Sequence, residues 1–341
     1  MTISCRRRHI AFTPPWCGYV NGASKMRAVS RRVFLHRPVI SVAQTGKVSG
    51  LGMQDIDSYK VETDLGRIAV RDTRGGAMPL ILLHGAGYSG DVFADQMKDA
   101  GLRDFRLIVP DLPGHGNSDN SAHPETGYSV SGLASATAAL IEELGLVNCV
   151  VAGWSLGGHV AIELLGAHCS IAGVAIPGAP PLVQGGLGTI RGFHFSRDML
   201  LASKAKLMEH EALRYLRMTL GPDAPSEFAD MILRADPQSR PVAMRSIVSG
   251  QGCDQRDTVE SSPVPVCLIQ GQNDPFARTG YVTGIRGNAI YEGGCKVVAG
   301  AGHAPFFDAP DEFNALLARF VRDVASGKAS VAPADPMRIA V

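Results

Sequence analysis

The strongest structural signal in this 341-residue chain is Asn148-Cys149-Val150-Val151-Ala152-Gly153-Trp154-Ser155-Leu156-Gly157. Its apolar first half is typical of a strand buried on both faces of a parallel sheet, and apolar residues at 158–165 favour a following helix. Glycines at a sharp strand-to-helix turn leave room for the backbone, and such a turn raises a serine hydroxyl onto the helix amino terminus. We therefore predict that Ser155 is a nucleophile, the alternative being a simple helix N-cap.

Apolar runs of the same kind recur along the chain, at residues 79–84, 105–110, 173–176 and 264–269. Segments with the apolar periodicity of a helix separate these runs. The clearest is 130–144, and the glycine that follows it, Gly145, is expected to end the helix. An alternating pair at 59–63 and 67–72 favours a hairpin. The series predicts an α/β fold, with a mostly parallel sheet and helices on both faces.

A helical interruption divides this series. The segment 183–255 shows helical patterns and no strand pattern, at 197–209, 210–220, 226–234 and 241–248. We predict that it caps the carboxyl edge of the sheet. The expected organisation is an extension at 1–52, the first part of the core at 53–182, the cap at 183–255, the second part of the core at 256–326, and a tail at 327–341.

Charge is distributed unevenly along the chain. The net charge is +1, but residues 1–52 hold nine Lys and Arg and no acid, which leaves −8 for the rest. An acidic body argues against nucleic-acid binding, and no apolar run reaches the roughly 18 residues of a membrane-spanning helix. The segment 30–35, Ser-Arg-Arg-Val-Phe-Leu, is similar to a twin-arginine signal, but the apolar run after it is short. We expect a cytoplasmic protein, with export as the alternative, and the extension as a tail or as sequence upstream of a start at Met53.

A serine nucleophile needs a base and an acid that orients the base, and in such folds the chain order is serine, acid, histidine. Asp274 stands in a glycine-containing loop after the predicted strand at 264–269, and His303 stands in one after a further predicted strand around 296–299. Both loops lie at the sheet edge where ligands bind. We predict that His303 is the general base and Asp274 the acid. The rivals for the acid are Asp254, Asp257 and Asp308.

The oxyanion formed during acyl transfer needs preorganised donors. The N–H of Leu156, after the nucleophile, and the N–H of Ala86, in a loop that follows a strand, are the candidates. The histidines show no metal-ligand spacing, the seven cysteines form no C-x-x-C pair, and no dinucleotide fingerprint follows a strand. We expect neither a metal nor a cofactor.

Together these motifs resemble those of the α/β-hydrolase family over residues 59–324. The narrower resemblance is to the serine-dependent N-acyl-homoserine lactonases, through residues 66–71, 153–159, 178–181, 274–276 and 302–306. It implies that Ser155, His303 and Asp274 form the triad, although relatives can hold Glu at the acid position. Tyr215 matches a tyrosine implicated in lactone contact, and Ala86 matches a position where a relative holds Asn. Trp154, beside the nucleophile, is the second expected substrate contact.

We therefore expect a cofactor-independent serine hydrolase of small carboxylic esters or lactones. The most specific expectation is opening of the lactone ring of N-acyl-homoserine lactones, which would quench quorum signals. The alternatives are a general carboxylesterase, a C–C bond hydrolase, or a hydrolase-fold receptor for a small molecule. Candidates for an acyl pocket, with core packing as the alternative, are Phe193, Phe195, Met199, Met208 and Met231.

Overall fold

A sheet of eight strands organises the part of the chain described by the computed structural model, which is residues 56–167, 170–197 and 199–329. The extension at 1–52, its twin-arginine-like segment and residues 330–341 lie outside the described residues. The strands are β1 Asp57–Thr63, β2 Gly66–Asp72, β3 Met78–Leu83, β4 Phe105–Pro110, β5 Cys149–Gly153, β6 Ile171–Pro177, β7 Val266–Gly271 and β8 Lys296–Val298.

The strand order across the sheet is β1-β2-β4-β3-β5-β6-β7-β8. The β1-β2 and β2-β4 pairs are antiparallel, and every pair from β4 to β8 is parallel. Because parallel strands all point the same way, the loops that follow β3, β5, β7 and β8 meet at one edge. The predicted mostly parallel sheet is confirmed.

Helices lie between the parallel strands and after the last of them. They are α1 Ala94–Lys98, α2 Pro124–Gly127, α3 Val130–Glu143, α4 Leu156–Ala167, α5 Gly186–Gly192, α6 Met199–Ser203, α7 Glu209–Leu220, α8 Ala229–Arg234, α9 Ser239–Ser249, α10 Gln255–Glu260, α11 Thr279–Thr283, α12 Pro305–Asp308 and α13 Pro310–Ala325. Within the described ranges, no helix has the length and apolar character needed to cross a membrane.

Side chains of the central strands are buried on both faces of the sheet. On β3, Ile81 and Leu83 belong to the apolar cluster that includes residues of α3 and α4, whereas Leu80 and Leu82 belong to the cluster that includes residues of α13. All four are at most 1% exposed. Helices on both faces therefore require a continuous apolar run rather than an alternating one.

The helical segment between β6 and β7 differs from its prediction at one place. The expected helix at 197–209 is wrong, because α6 ends at Ser203 and α7 begins at Glu209. The N–H of Met208 donates to Oε2 of Glu211 at 2.9 Å, which caps α7. The buried guanidinium of Arg240 donates to the carbonyl oxygens of Lys204 (3.3 Å) and Ala205 (3.2 Å). The side chains of Glu211 and Arg240 thus make the hydrogen bonds that these backbone groups would otherwise make within a continuous helix.

Two helices of this region lack a sequence prediction. Helix α5 begins and ends in glycine, which is a poor helix former, so propensity gives no signal. Asp254 is the N-cap of helix α10, and its Oδ1 accepts from the N–H of Asp257 at 3.0 Å. Helices α5 to α9 lie inside the predicted cap at 183–255, and α10 begins at its last residue.

Candidate active site

Ser155 stands at the turn from β5 into α4 with a φ of +53°. Its N–H donates to the carbonyl oxygen of Pro177 on the neighbouring strand at 3.1 Å. A Cβ on Gly153 would lie 2.1 Å from the carbonyl oxygen of Gly157, and a Cβ on Gly157 would lie 2.3 Å from the carbonyl oxygen of Leu83. Both glycines are therefore required by close backbone approach, and together they hold Ser155 at the amino end of α4.

His303 and Asp274 meet in the loops after β8 and β7. The Nδ1 of His303 lies 3.0 Å from Oδ2 and 3.1 Å from Oδ1 of Asp274. Both side chains are at most 3% exposed. A carboxylate at Nδ1 fixes the proton on that nitrogen and leaves Nε2 as the proton acceptor of the ring.

Asp274 is held by several donors in addition to His303. Its Oδ1 accepts from the N–H of Phe276 (2.7 Å) and Ala277 (3.0 Å), and its Oδ2 accepts from Nε2 of Gln270 (2.8 Å). Burial raises the pKa of the Asp274 carboxyl, but the electrostatic interaction with His303 and the hydrogen bonds from His303, Phe276 and Ala277 outweigh burial, so the pKa lies below its ordinary value. Asp274 is thus an ionised partner for His303 at neutral pH.

Trp154 supports the backbone of His303. The indole Nε1 of Trp154 donates to the carbonyl oxygen of His303 at 2.9 Å, and its ring packs against Tyr88 and Phe306. Trp154 is 1% exposed and is not among the residues that line the cavity described below. The structure places it behind the base, where it positions His303, rather than at the cavity wall as expected.

One cavity brings most of the predicted site residues together. Ser155, His303, Leu156, Ala86 and Tyr215 all line it. The rest of its wall is mainly apolar and consists of His159, Phe193, Met199, Ala202, Thr219, Arg240, Ala243, Met244, Ile247 and Phe276. Of the five predicted acyl-pocket residues, Phe193 and Met199 line the cavity; Phe195 and Met208 are exposed, and Met231 packs elsewhere.

Ala86 and Leu156, the residues of the proposed oxyanion donors, both line this cavity. Among the described residues, the N–H groups of Ala86 and Leu156 have no acceptor. The hydroxyl of Tyr215 donates to the carbonyl oxygen of Ala86 at 3.1 Å, which fixes the orientation of the peptide in this loop. Burial raises the pKa of Tyr215 to about 12, so the hydroxyl stays protonated.

The rival acids lie in other environments. Asp254 caps α10, and Asp257 lies on that helix. Oδ2 of Asp308 accepts from the N–H of Gly302 at 2.8 Å. Within the described part of the chain, the only carboxylate with a hydrogen bond to His303 is that of Asp274.

Two basic residues of the cavity wall, His159 and Arg240, were not predicted from the sequence. His159 lies in the first turn of α4, four residues after Ser155, and its N–H donates to the carbonyl oxygen of Ser155 at 3.2 Å. Burial lowers the pKa of His159 to about 4, and its Nδ1 lies 2.8 Å from Oε1 of Gln255, so a neutral ring faces the cavity. Arg240 has no sequence signal, because a single arginine in a helix has the pattern of a surface residue.

Metal ligands are not clustered in the described ranges. No group of three or more His, Cys, Asp or Glu residues there is placed to hold an ion. The four cysteines described, Cys149, Cys253, Cys267 and Cys295, are free thiols.

A family comparison decides the classification. Residues 80–316, more than half of the chain, match the model described as the alpha/beta hydrolase family. The chain belongs to the alpha/beta hydrolase family. The predicted fold and the sequence resemblance are thereby confirmed, and the protein is an enzyme of this family.

Among the relatives of this α/β-hydrolase are proteins named as a lactonase and as an esterase. A solved structure of the N-acyl homoserine lactonase AidH, a serine-to-glycine mutant complexed with N-hexanoyl homoserine lactone, is 36% identical with a TM-score of 0.76, and the match covers 80% of this chain and 99% of that one. The AB hydrolase superfamily protein YisY of Bacillus subtilis is 25% identical, covering 72% of this chain and 92% of the relative. A pimeloyl-[acyl-carrier protein] methyl ester esterase of Aeromonas hydrophila is 28% identical, covering 72% and 96%.

Proposed function

We propose that this α/β-hydrolase cleaves carboxylic esters and lactones by a Ser-His-Asp mechanism, and that its preferred substrates are N-acyl-homoserine lactones. The observation that carries the proposal is the shared cavity of Ser155 and His303, with Nδ1 of His303 3.0 Å from the buried carboxylate of Asp274. Ala86 and Leu156 line the same cavity, and their N–H groups, which have no backbone acceptor among the described residues, are available as the oxyanion donors that acyl transfer requires.

In the proposed reaction, Oγ of Ser155 attacks the lactone carbonyl carbon while Nε2 of His303 takes the hydroxyl proton. The N–H groups of Ala86 and Leu156 hold the oxyanion of the tetrahedral intermediate. Its collapse breaks the ring C–O bond, and His303 returns the proton to the departing homoserine oxygen. His303 then takes a proton from water, and the resulting hydroxide attacks the carbonyl carbon of the acyl-enzyme. Collapse of this second tetrahedral intermediate breaks the bond to Oγ of Ser155, which takes the proton back from His303, and N-acyl-homoserine is released.

The lactone preference rests on the AidH relative and on the cavity wall. AidH is the relative with 36% identity, and its solved form holds an acyl-homoserine lactone. Tyr215, the residue implicated in lactone contact by resemblance, lines the cavity beside the oxyanion loop. The apolar wall that includes Phe193 and Met199 suits an alkyl chain.

The deciding experiment is a substrate panel measured with wild type and Ser155→Ala. We expect wild type to open N-hexanoyl-homoserine lactone with and without a chelator, and Ser155→Ala to lose on the order of 10⁶-fold in kcat. Activity that survives the substitution, or that the chelator removes, contradicts the serine mechanism.

The panel also separates the alternatives. The pimeloyl methyl ester esterase relative makes long-chain methyl esters the second substrate class to include. Turnover of methyl esters without any lactone opening assigns a carboxylesterase, and ligand binding with a single turnover assigns a receptor.

A further inference from the structure

Arg240 is a buried cation in the wall of the catalytic cavity. It is 2% exposed and lines the cavity together with Ser155 and His303. Within the described ranges, no carboxylate lies at ion-pair distance from its guanidinium. A buried charge without a counter-charge is costly, so such a residue needs a compensating role.

Backbone carbonyl groups satisfy part of the guanidinium. Nε donates to Lys204, Nη1 donates to Ile232 at 2.9 Å, and Nη2 donates to Ala205. An arginine carries five N–H groups in a fixed planar arrangement. Two of them therefore have no acceptor among the described residues, and they belong to a side chain that lines the cavity.

The guanidinium contacts the loop that supplies the oxyanion donor. A Cβ on Gly87 would lie 3.1 Å from Nη1 of Arg240, so the missing side chain at this position is what admits the guanidinium. Gly87 directly follows Ala86, whose N–H is a proposed oxyanion donor. A group bound by Arg240 thus lies close to the carbonyl that is attacked, not at the far end of an acyl chain.

Helix α9 continues the wall from Arg240 with apolar side chains. Arg240, Ala243, Met244 and Ile247 all line the cavity, and their spacing places them on one helix face. Along the helix axis, this face extends about 10 Å from Arg240 at its polar end to Ile247 at its apolar end. It matches a molecule with an oxygen acceptor near the reacting carbonyl and an alkyl chain beyond that acceptor.

We propose that Arg240 is a specificity-determining residue that binds an amide or keto oxygen on the acid part of the substrate, a few atoms from the scissile carbonyl. The inference rests on the proposed serine hydrolysis and specifies the substrate class of that site. Esters and lactones with such an oxygen are preferred over alkyl esters of equal length.

The test compares two substrate pairs that differ in the amide. The first pair is methyl N-hexanoylglycinate and methyl nonanoate, and the second is N-hexanoyl-homoserine lactone and α-heptyl-γ-butyrolactone. For each pair, kcat/KM is measured in one enzyme sample and expressed as a ratio. This ratio does not depend on the folded fraction, which matters because Arg240 also holds three backbone carbonyl groups.

Wild type should favour the amide member of each pair that it hydrolyses, and Arg240→Met should lower the ratio roughly tenfold to a hundredfold, the value of a charged hydrogen bond. Arg240→Lys keeps the charge with fewer aligned donors and should give an intermediate ratio. The matched control is Arg245→Met on the same helix, where the side chain is exposed and pairs with Glu125 at 2.9 Å; its ratio should equal that of wild type.

An unchanged ratio in Arg240→Met and Arg240→Lys, or an equal loss on both members of a pair, overturns the proposal. Hydrolysis of the methyl esters without lactone opening refutes the lactonase function, while the ester ratio still tests Arg240. Absence of hydrolysis for all four compounds refutes the proposed function itself.

Discussion

Ser155 has a backbone conformation that few serines adopt. A φ of +53° lies in the left-handed region, which costs a residue with a Cβ about 1–2 kcal/mol. The strained conformation is held in place by Gly153 and Gly157, which allow the turn, and by the hydrogen bond from the N–H of Ser155 to the carbonyl oxygen of Pro177. The proposed nucleophile is thus strained where it is reactive, and stability and activity compete at one residue.

This strain predicts different stabilities for two inactive variants. The free energy of unfolding of Ser155→Gly should be about 1 kcal/mol higher than that of Ser155→Ala, because only glycine adopts this φ without strain. Urea titration of both variants measures the difference, with the absence of lactone hydrolysis as the check on activity. Equal stability of the two would show that the turn carries no strain.

At the scale of elements, the β5–α4 turn depends on backbone contact rather than on side-chain packing. A Cβ at position 157 meets the carbonyl oxygen of Leu83 at 2.3 Å, whereas a Cβ at Gly166, near the end of the same helix, meets Cγ2 of Thr258 at an ordinary 3.7 Å. The two glycines have the same helix propensity, so they form a matched pair.

Gly157→Ala should therefore destabilise the fold by about 2–3 kcal/mol and reduce hydrolysis, because β3 and α4 must move apart. Gly166→Ala should be neutral or should stabilise by up to about 1 kcal/mol, because alanine is the better helix former. Thermal unfolding and kcat/KM of both variants measure the effects. A loss of similar size in both would assign the effect to helix propensity or flexibility instead of the close approach.

Elements with local signals could be predicted from the sequence, and elements that depend on distant partners could not. The buried strands and α3 are encoded in their own apolar patterns, as β4 at Phe105–Pro110 shows. The break at 204–208 depends on Arg240, which lies some 35 residues further along the chain. Likewise Ser155, His303 and Asp274 stand in recognisable turns, whereas the positions of Trp154 and Arg240 follow only from tertiary packing.

At the scale of the whole molecule, Asp111 joins segments that are distant in the chain. Its fully buried carboxylate accepts from Arg71 on β2 (2.8 Å), from the N–H of Gly90 after the oxyanion loop (2.8 Å), and from the N–H of Asn117 (2.8 Å). Burial raises the pKa of Asp111, but Arg71 and the backbone donors outweigh burial and hold the pKa below its ordinary value of 3.8.

A carboxyl group whose pKa is lower in the folded than in the unfolded chain stabilises the fold. This contribution is fully present above the unfolded pKa, and it is lost as the pH falls through the folded pKa. Asp111→Asn should therefore cost about 3 kcal/mol at pH 7, with the difference from wild type shrinking below pH 3.8. Asp119→Asn is the control, since its partly exposed pairs with Lys60 and Arg67 should contribute at most about 1 kcal/mol. Urea midpoints at several pH values give both curves; a pH-independent difference would refute the linkage.

The hydrogen bond from Trp154 to His303 also provides an optical probe. The sequence contains two tryptophans, Trp16 and Trp154. After replacement of Trp16 by phenylalanine, all indole emission comes from a ring that packs against Phe306 and is bonded to the backbone of the base. Fluorescence of that variant then reports on the assembly of the catalytic loops during refolding, without a label and without a substrate.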